Sequence, residues 1–229
     1  METIRLAGLF RLPNSVPPIQ NTPTELMKRL LDLFCSVMGL LLCWPLFAIA
    51  AMFIKLDSPG PVIFKQERIG RGFRPFLIYK FRTMISDAPQ KGGALTASGD
   101  PRVTRVGRIL RQTKLDELPQ LINVVKGEMS LVGPRPEVRK YVEIFHDRYK
   151  TVLTVRPGIT DLASLKYRDE SAILAAAENP EAEYVQRILP DKLQLAEDYV
   201  RRASLCLDLR LILQTLLKLL PGKTAPDGH

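Results

Sequence analysis

Two adjacent carboxylates, Asp116 and Glu117, lie within Lys114-Leu-Asp-Glu-Leu-Pro-Gln-Leu121 with fixed cations on both sides. Arg105, Arg108, Arg111 and Lys114 precede them, and Arg135 follows, held between Pro134 and Pro136. Leu118, Leu121, Ile122 and Val125 fall at i, i+3, i+4 and i+7, the apolar stripe of a core-facing helix. Pro119 is tolerated only in a first turn, so the spacing predicts a helix that starts within a residue or two of Asp116 and stops at Gly127. The two acids then sit where backbone N–H groups and the positive end of the helix dipole gather. Acids at that position commonly act as caps worth roughly 0.3–1 kcal/mol each, and on spacing alone capping is the commoner explanation. Acids surrounded by fixed cations point further, to a reactive site.

The rest of the chain has to position that stretch. A length of 229 residues allows one domain with appendages, and the net charge of +9 favours anionic partners: phospholipid, nucleic acid or a phosphorylated metabolite. The three cysteines have no disulfide or metal spacing, and two histidines give a His-rich zinc site or a Ser-His triad little to build on. Residues 1–27 read as a flexible N-terminal arm. From Leu33 to Ile54 run 22 uncharged residues, flanked by Lys28-Arg29 and Lys55. At 1.5 Å per residue this run is about 33 Å of helix, close to the roughly 30 Å hydrocarbon core of a bilayer. A soluble core helix is rarely apolar all round for this length, and a secretory signal would start nearer the N-terminus. A kinked spanning helix and a re-entrant hairpin remain. Both flanks are basic, so the positive-inside rule gives neither side a reason to cross, and Pro45 stands mid-run where a helix bends. The re-entrant reading, helix-break-helix over 28–56, is preferred.

Asp57-Ser-Pro-Gly-Pro61 ends this element with turn residues. Val62-Ile-Phe64 and Phe76-Leu-Ile-Tyr79 flank Gly70-Arg-Gly72 as a short β-hairpin. Lys80 and Arg82, alternating with aromatics, read as a solvated strand face. Residues 85–100 read as a mobile loop. A helix is expected from Val103 to Thr113 with Val103, Val106, Ile109 and Leu110 inward and its arginines drifting round the outside. An amphipathic helix to about Leu153 follows, then helices broken near Asn179-Pro180 and Pro190. The leucine-rich helix Leu205–Leu220 reads equally as a core element or as an interfacial one, and 221–229 as a tail.

The run Lys114 to Glu137, Lys-Leu-Asp-Glu-Leu-Pro-Gln-Leu-Ile-Asn-Val-Val-Lys-Gly-Glu-Met-Ser-Leu-Val-Gly-Pro-Arg-Pro-Glu, resembles the signature of the bacterial sugar transferases, small monotopic phosphoglycosyl transferases that initiate polysaccharide or glycoconjugate synthesis. The blocks Gly60 to Gly70 and Lys80-Phe-Arg-Thr-Met84, and the element Arg156-Pro-Gly-Ile-Thr160, are similar to the same family. The resemblance spans about residue 28 to residue 220. It implies a UDP-sugar donor, a polyprenol phosphate acceptor such as undecaprenyl phosphate, and a covalent aspartyl-phosphosugar on Asp116 formed with release of UMP. It further implies Glu117 as ligand of a Mg2+ ion and Lys80, Arg111, Arg135 and Arg156 as substrate contacts. The enzyme would work at the cytoplasmic face of the bacterial inner membrane, with the phospholipid bilayer as partner and a homodimer left open. Two departures stand out: Trp44 precedes Pro45 where many members have Ser, and Asp161-Leu-Ala-Ser164 replaces the Gly-Trp-Ala-Gln of many members.

The expected fold class is α/β or α+β, dominated by helices: the re-entrant element and a small cytoplasmic catalytic domain over 57–220, with a short hairpin and interfacial amphipathic helices. A non-catalytic, membrane-tethered basic protein that binds anionic lipid, or a regulatory member of the family, is the rival reading. It explains the charge and the apolar run and leaves Asp116-Glu117 and Gly133-Pro-Arg-Pro136 without purpose. No nucleic-acid motif is present.

Overall fold

The computed structural model describes residues 23–93 and 95–219. The arm expected over 1–27 falls outside the described residues up to position 22, as does the tail expected over 221–229.

Helix α1 (Pro23–Asp57) contains the whole apolar run and begins before position 28. The break expected at Pro45 does not occur: 35 residues form one helix with the proline inside it. A proline removes one N–H and crowds the turn before it, which weakens a helix there without having to end it. One face of α1 lies on the folded body. Asp32, Ser36, Ala50 and Ile54 are buried, and a Cβ on Gly39 would come within 3.1 Å of Leu121 Cδ1. The opposite face leaves Leu26, Phe34, Leu41, Leu42, Trp44, Met52 and Leu56 exposed.

Arg82 corrects the solvated-face reading of its strand. Its guanidinium is buried and closes the C-terminus of α1, donating to the carbonyls of Pro59 (2.9 Å), Ser58 (2.6 Å) and Ile54 (3.3 Å). The Ile54 carbonyl also accepts from the Ser58 N–H at 3.2 Å, and Ser58 and Pro59 lie just past the last turn, so the arginine ties the end of α1 to the turn that follows it. The Asp57 carboxylate accepts from the Val106 N–H at 3.0 Å and ties the same end to the next helical layer.

The hairpin forms as its sequence demands: β1 (Ile63–Ile69) pairs antiparallel with β2 (Pro75–Phe81), Ile63 opposite Phe81 and Ile69 opposite Pro75. The segment 85–100 is less open than expected. It contains α2 (Ala88–Lys91) and is gathered around Arg102, which donates to the carbonyls of Ala88, Gly93 and Leu95 and pairs with Asp100 at 2.7 Å. Arg102 therefore points into this loop and not to the outer face.

In α3 (Arg105–Gln112) Thr104 caps the N-terminus by accepting from the Gly107 N–H. Leu110 is buried, but Ile109, expected inward, is 60% exposed. A 3-10 turn over Leu115–Glu117 precedes α4 (Gln120–Lys126), which Gly127 ends at φ 84°. The helix thus starts later than the spacing predicts, and its stripe is displaced: Leu121, Asn123 and Val124 are buried while Ile122 is 38% exposed. The cause is that α4 is wedged between α1 on one side and β2 on the other.

The remaining chain builds the second half. Strand β3 (Ser130–Val132) pairs in parallel with β4 (Gly158–Thr160), and between them run α5 (Arg139–Ile144) and α6 (His146–Val152), two helices where one was expected. After β4 come α7 (Leu162–Lys166), α8 (Glu170–Ala176) and α9 (Pro180–Glu183), then a π turn over Tyr184–Ile188 that runs into α10 (Leu189–Arg202). The interruption at Asn179 is as expected. Pro190 makes none: the chain stays helical from the π turn through Ile188 and Leu189, and the proline is taken up directly after that widened turn. The main core gathers Tyr141, Val142, Tyr149, Leu174, Tyr184, Ile188 and Leu193. Last, α11 (Leu205–Leu219) packs one face on the body and leaves the other exposed. Leu211 and Asp208 are buried, Asp208 against Lys28 and Tyr199, while Leu209, Leu213, Leu216 and Leu217 stay exposed.

Candidate active site

Four elements converge on Asp116 and Glu117. The reversal between α3 and the 3-10 turn is made at Lys114, whose φ of 59° is left-handed. A non-glycine residue there carries roughly 1–2 kcal/mol of strain, which the surrounding contacts have to offset. The reversal turns Asp116 back into the body, where it is 7% exposed. Its Oδ1 is buried and has no hydrogen-bond partner in the protein.

Glu117 lies beside it and is paired twice. Lys80 Nζ, from β2, stands 2.9 Å from Oε1, and the Arg135 guanidinium bonds both carboxylate oxygens. The adjacent acids are thereby driven apart electrostatically. Burial alone would raise Glu117, but the charges and hydrogen bonds of Arg135 and Lys80 outweigh it and hold the group well below the usual carboxylate range. Asp116 is raised by burial, with the neighbouring Glu117 charge adding to it and Lys80, Arg111 and Lys114 acting against it. Burial also lowers Lys80, opposed by the Glu117 charge, while Arg135 is raised chiefly by that same charge.

Each cation is held by a local device. Lys80 is aimed from β2, whose outer edge is completed by a side chain: Asn123 accepts from the Tyr79 N–H at 3.0 Å and donates to the Leu77 carbonyl at 2.7 Å. The buried amide mimics one residue of a missing strand and locks α4 to β2. Arg135 stands on the loop after β3. Its backbone N–H donates to Asp161 at 3.1 Å, and Asp161 also caps α7 by accepting from the Ser164 N–H. Gly133 and Gly158 let the two strand ends close on each other, since a Cβ on Gly158 would fall 2.1 Å from the Gly133 nitrogen. Arg111 donates from Nε to Thr83 at 2.8 Å, which fixes its guanidinium near Asp116.

Of the six residues singled out in the sequence, Asp116, Glu117, Lys80, Arg111 and Arg135 therefore share one neighbourhood. Arg156 does not join them. It donates to the Gly127 carbonyl at 3.1 Å and faces Glu25 at 3.4 Å, beyond the C-terminal end of α4. Three supporting residues escaped the sequence reading. Asp161 could have been found as an N-cap ahead of Leu162-Ala163, whereas Thr83 and Asn123 carry no local signal.

Among the described residues no group of three or more His, Cys, Asp or Glu side chains gathers to hold a metal. The residues still suit a magnesium ion. That ion commonly takes one or two carboxylates and completes its shell from substrate phosphates and water, and Glu117 Oε2, met among the described residues only by Arg135 at 3.4 Å, keeps a lone pair for it.

Comparison with known proteins gives the family of the chain. The family model described as bacterial sugar transferase matches residues 23–222. A UDP-N-acetylgalactosamine-undecaprenyl-phosphate N-acetylgalactosaminephosphotransferase of Aeromonas hydrophila is 40% identical over 202 residues, 86% of this chain and 44% of that protein. A UDP-glucose:undecaprenyl-phosphate glucose-1-phosphate transferase of Caulobacter vibrioides is 41% identical over 211 residues, 91% of this chain and 75% of that protein. An exopolysaccharide production protein of Rhizobium leguminosarum bv. phaseoli is 39% identical over 202 residues, 83% of this chain and 94% of that protein. This chain thus spans less than half of the Aeromonas protein and nearly all of the Rhizobium one. With a family match running from the first described helix through the acidic pair to the last, the chain belongs to the bacterial sugar transferase family.

Proposed function

We propose that the chain moves a sugar 1-phosphate from a UDP-sugar to a polyprenol phosphate, such as undecaprenyl phosphate, and releases UMP. The observation that carries this reading is Asp116: a buried carboxylate with an unpartnered oxygen, beside a glutamate already neutralised by Lys80 and Arg135. The named activities of the relatives from Aeromonas and Caulobacter are of this kind.

In the proposed reaction, Asp116 Oδ1 attacks the phosphorus that carries the sugar. The bond from that phosphorus to the bridging oxygen breaks, and UMP leaves with the electron pair. A phosphate oxygen of the polyprenol phosphate then attacks the aspartyl-phosphosugar, and the Asp116 carboxylate is regenerated as polyprenol-diphosphate-sugar departs. A carboxylate approaching a diphosphate meets like charge, so Lys80, Arg111 and Arg135 hold the phosphate oxygens and spread that charge. Glu117 holds Lys80 and Arg135 side by side, both bonded to its Oε1. Mg2+ on Glu117 would neutralise phosphate oxygens further. A panel of UDP-sugars with undecaprenyl phosphate tests the reading. One donor should give UMP in step with lipid-linked product, activity should vanish on chelation, and magnesium should restore it. No turnover with any donor would favour the non-catalytic, lipid-binding alternative.

The proposal includes monotopic placement on the cytoplasmic face of the inner membrane. Helix α1 is about 52 Å long by its 35 residues, enough to cross a bilayer of roughly 30 Å. Yet both ends rest on the same folded body: Arg29 donates to the carbonyls of Val124 and Val125 near one end, and Arg82 closes the other. A helix that crossed would carry those ends to opposite faces. The exposed apolar face of α1, with Ile109, Ile122 and the outer leucines of α11, is instead the surface offered to lipid. In a cysteine-free background, a single cysteine in residues 1–22 should resist impermeant thiol reagents in intact cells. Labelling there, with cytoplasmic controls silent, would establish a spanning helix.

A further inference from the structure

A second group of cations lies apart from Asp116 and is not used by the proposed reaction. The Oε1 atom of Glu25, in the first turn of α1, accepts from Arg71 at 2.5 Å and faces Arg156 at 3.4 Å. Arg29 stands behind them, bonded to the last carbonyls of α4, and its charge and that of Arg71 both bear on Arg156. Two guanidinium groups, Arg71 and Arg156, thus share the single carboxylate of Glu25, with the charges of Arg29 and Asp32 close enough to bear on Arg156. Glu117 precedes α4 and Arg29 contacts its far end, so the seven-residue helix, about 10 Å long, separates the two cationic clusters.

We infer that Arg71 and Arg156 form a binding site for the phosphate of an anionic phospholipid, with the Glu25 carboxylate holding the place of that phosphate in its absence. Two guanidinium groups that converge on one carboxylate oxygen present charged N–H donors that suit a phosphate oxygen equally well. An apolar surface for the acyl chains begins one residue further on: Leu26, Met27 and Leu30 are 61%, 59% and 58% exposed. Head group and chains are therefore accommodated by consecutive turns of α1, at the level where the helix leaves the apolar region. The inference rests on the membrane placement of α1 proposed above.

The competing explanation is a plain ion pair that staples α1 to the hairpin turn. The two explanations differ in sign. If the pair is only a staple, Glu25→Gln and Arg71→Gln remove the same contact and change membrane binding in the same direction. If the arginines bind lipid phosphate, Glu25→Gln removes the internal competitor and tightens binding, whereas Arg71→Gln weakens it. Arg71→Lys separates recognition by a guanidinium from general charge attraction, because it keeps the charge and loses the planar set of N–H donors.

The experiment is flotation of the full chain, purified in detergent, with vesicles of phosphatidylcholine alone or mixed with phosphatidylglycerol. Arg71→Gln and Arg71→Lys should each lower the preference for the mixed vesicles about fivefold, and Glu25→Gln should raise it by a similar factor. Binding to pure phosphatidylcholine should be unchanged, thermal unfolding in detergent should match the parent, and the KM for polyprenol phosphate in detergent should not move. Equal binding by parent and Arg71→Lys, or a parallel loss in Glu25→Gln and Arg71→Gln, would overturn the site. A raised KM for polyprenol phosphate with vesicle preference intact would assign the phosphate to the acceptor and overturn it as well. Failure of the parent to float with any vesicle would remove the membrane reading of α1, and the site with it.

Discussion

Asp116→Asn should abolish turnover while leaving the protein folded and able to bind the donor. The expected loss is at least about 10⁴-fold, the scale on which enzymes lose rate when a nucleophile is removed. The substitution keeps the shape of the side chain, so packing around the turn over Leu115–Glu117 should persist. It also removes a buried charge whose Oδ1 has no partner, so the thermal midpoint should stay level or rise. If Asp116 merely capped the following helix, the outcome would be reversed: stability would fall by about 1 kcal/mol and activity would largely survive. The measurement is UMP release alongside thermal unfolding and equilibrium binding of the UDP-sugar. Substantial activity in Asp116→Asn would return this residue to the role of a cap.

Arg135→Lys should lower kcat about 10²–10³-fold, although it keeps the charge. The Arg135 guanidinium reaches both oxygens of Glu117 from a loop fixed by Asp161 and by the close approach of Gly133 and Gly158. A lysine offers a point charge on a flexible stem, cannot span two oxygens in a plane, and would leave one Glu117 oxygen without its donor. Both half-reactions should slow, because the same phosphoryl group is held in each. UMP release without acceptor and sugar-phosphate transfer to lipid can be timed separately. A loss of less than about threefold in both would reduce Arg135 to a structural counter-ion of Glu117.

What could be read in advance divides along physical lines. The β1–β2 hairpin and the stop at Gly127 follow from short-range patterns, whereas the neighbourhood of Asp116, Glu117, Lys80 and Arg135 was legible only through the resemblance of their motifs to one family. Ile109 and Ile122 were misassigned to the core because periodicity registers apolar character, not the medium that the apolar face meets. Both lie on helices that pack against α1, whose outer face is itself apolar and exposed. Arg82 and Asn123 act through partners distant in sequence, so nothing local distinguishes a buried helix cap or a strand mimic from a surface residue, whereas Asp161 carries a local N-cap signal but holds the Arg135 N–H from 26 residues away. Arg156 was grouped with the substrate contacts through its motif, and the fold places it beside Glu25 and Arg71 instead. The expected break at Pro45 failed for a related reason: a proline makes a helix weaker, and packing decides whether it ends.

The covalent step on Asp116 can be followed without any lipid acceptor. The donor must be a UDP-sugar that supports full turnover, supplied with magnesium. The account predicts a burst of UMP close to one equivalent per active enzyme, followed by a stop. Intact mass should rise by one sugar phosphate, peptide mapping should place it on Asp116, and the adduct should disappear when polyprenol phosphate is added. A single displacement needs both substrates bound together and leaves nothing on the protein. Normal turnover with that donor, but no burst and no adduct under rapid acid quench, would contradict the account.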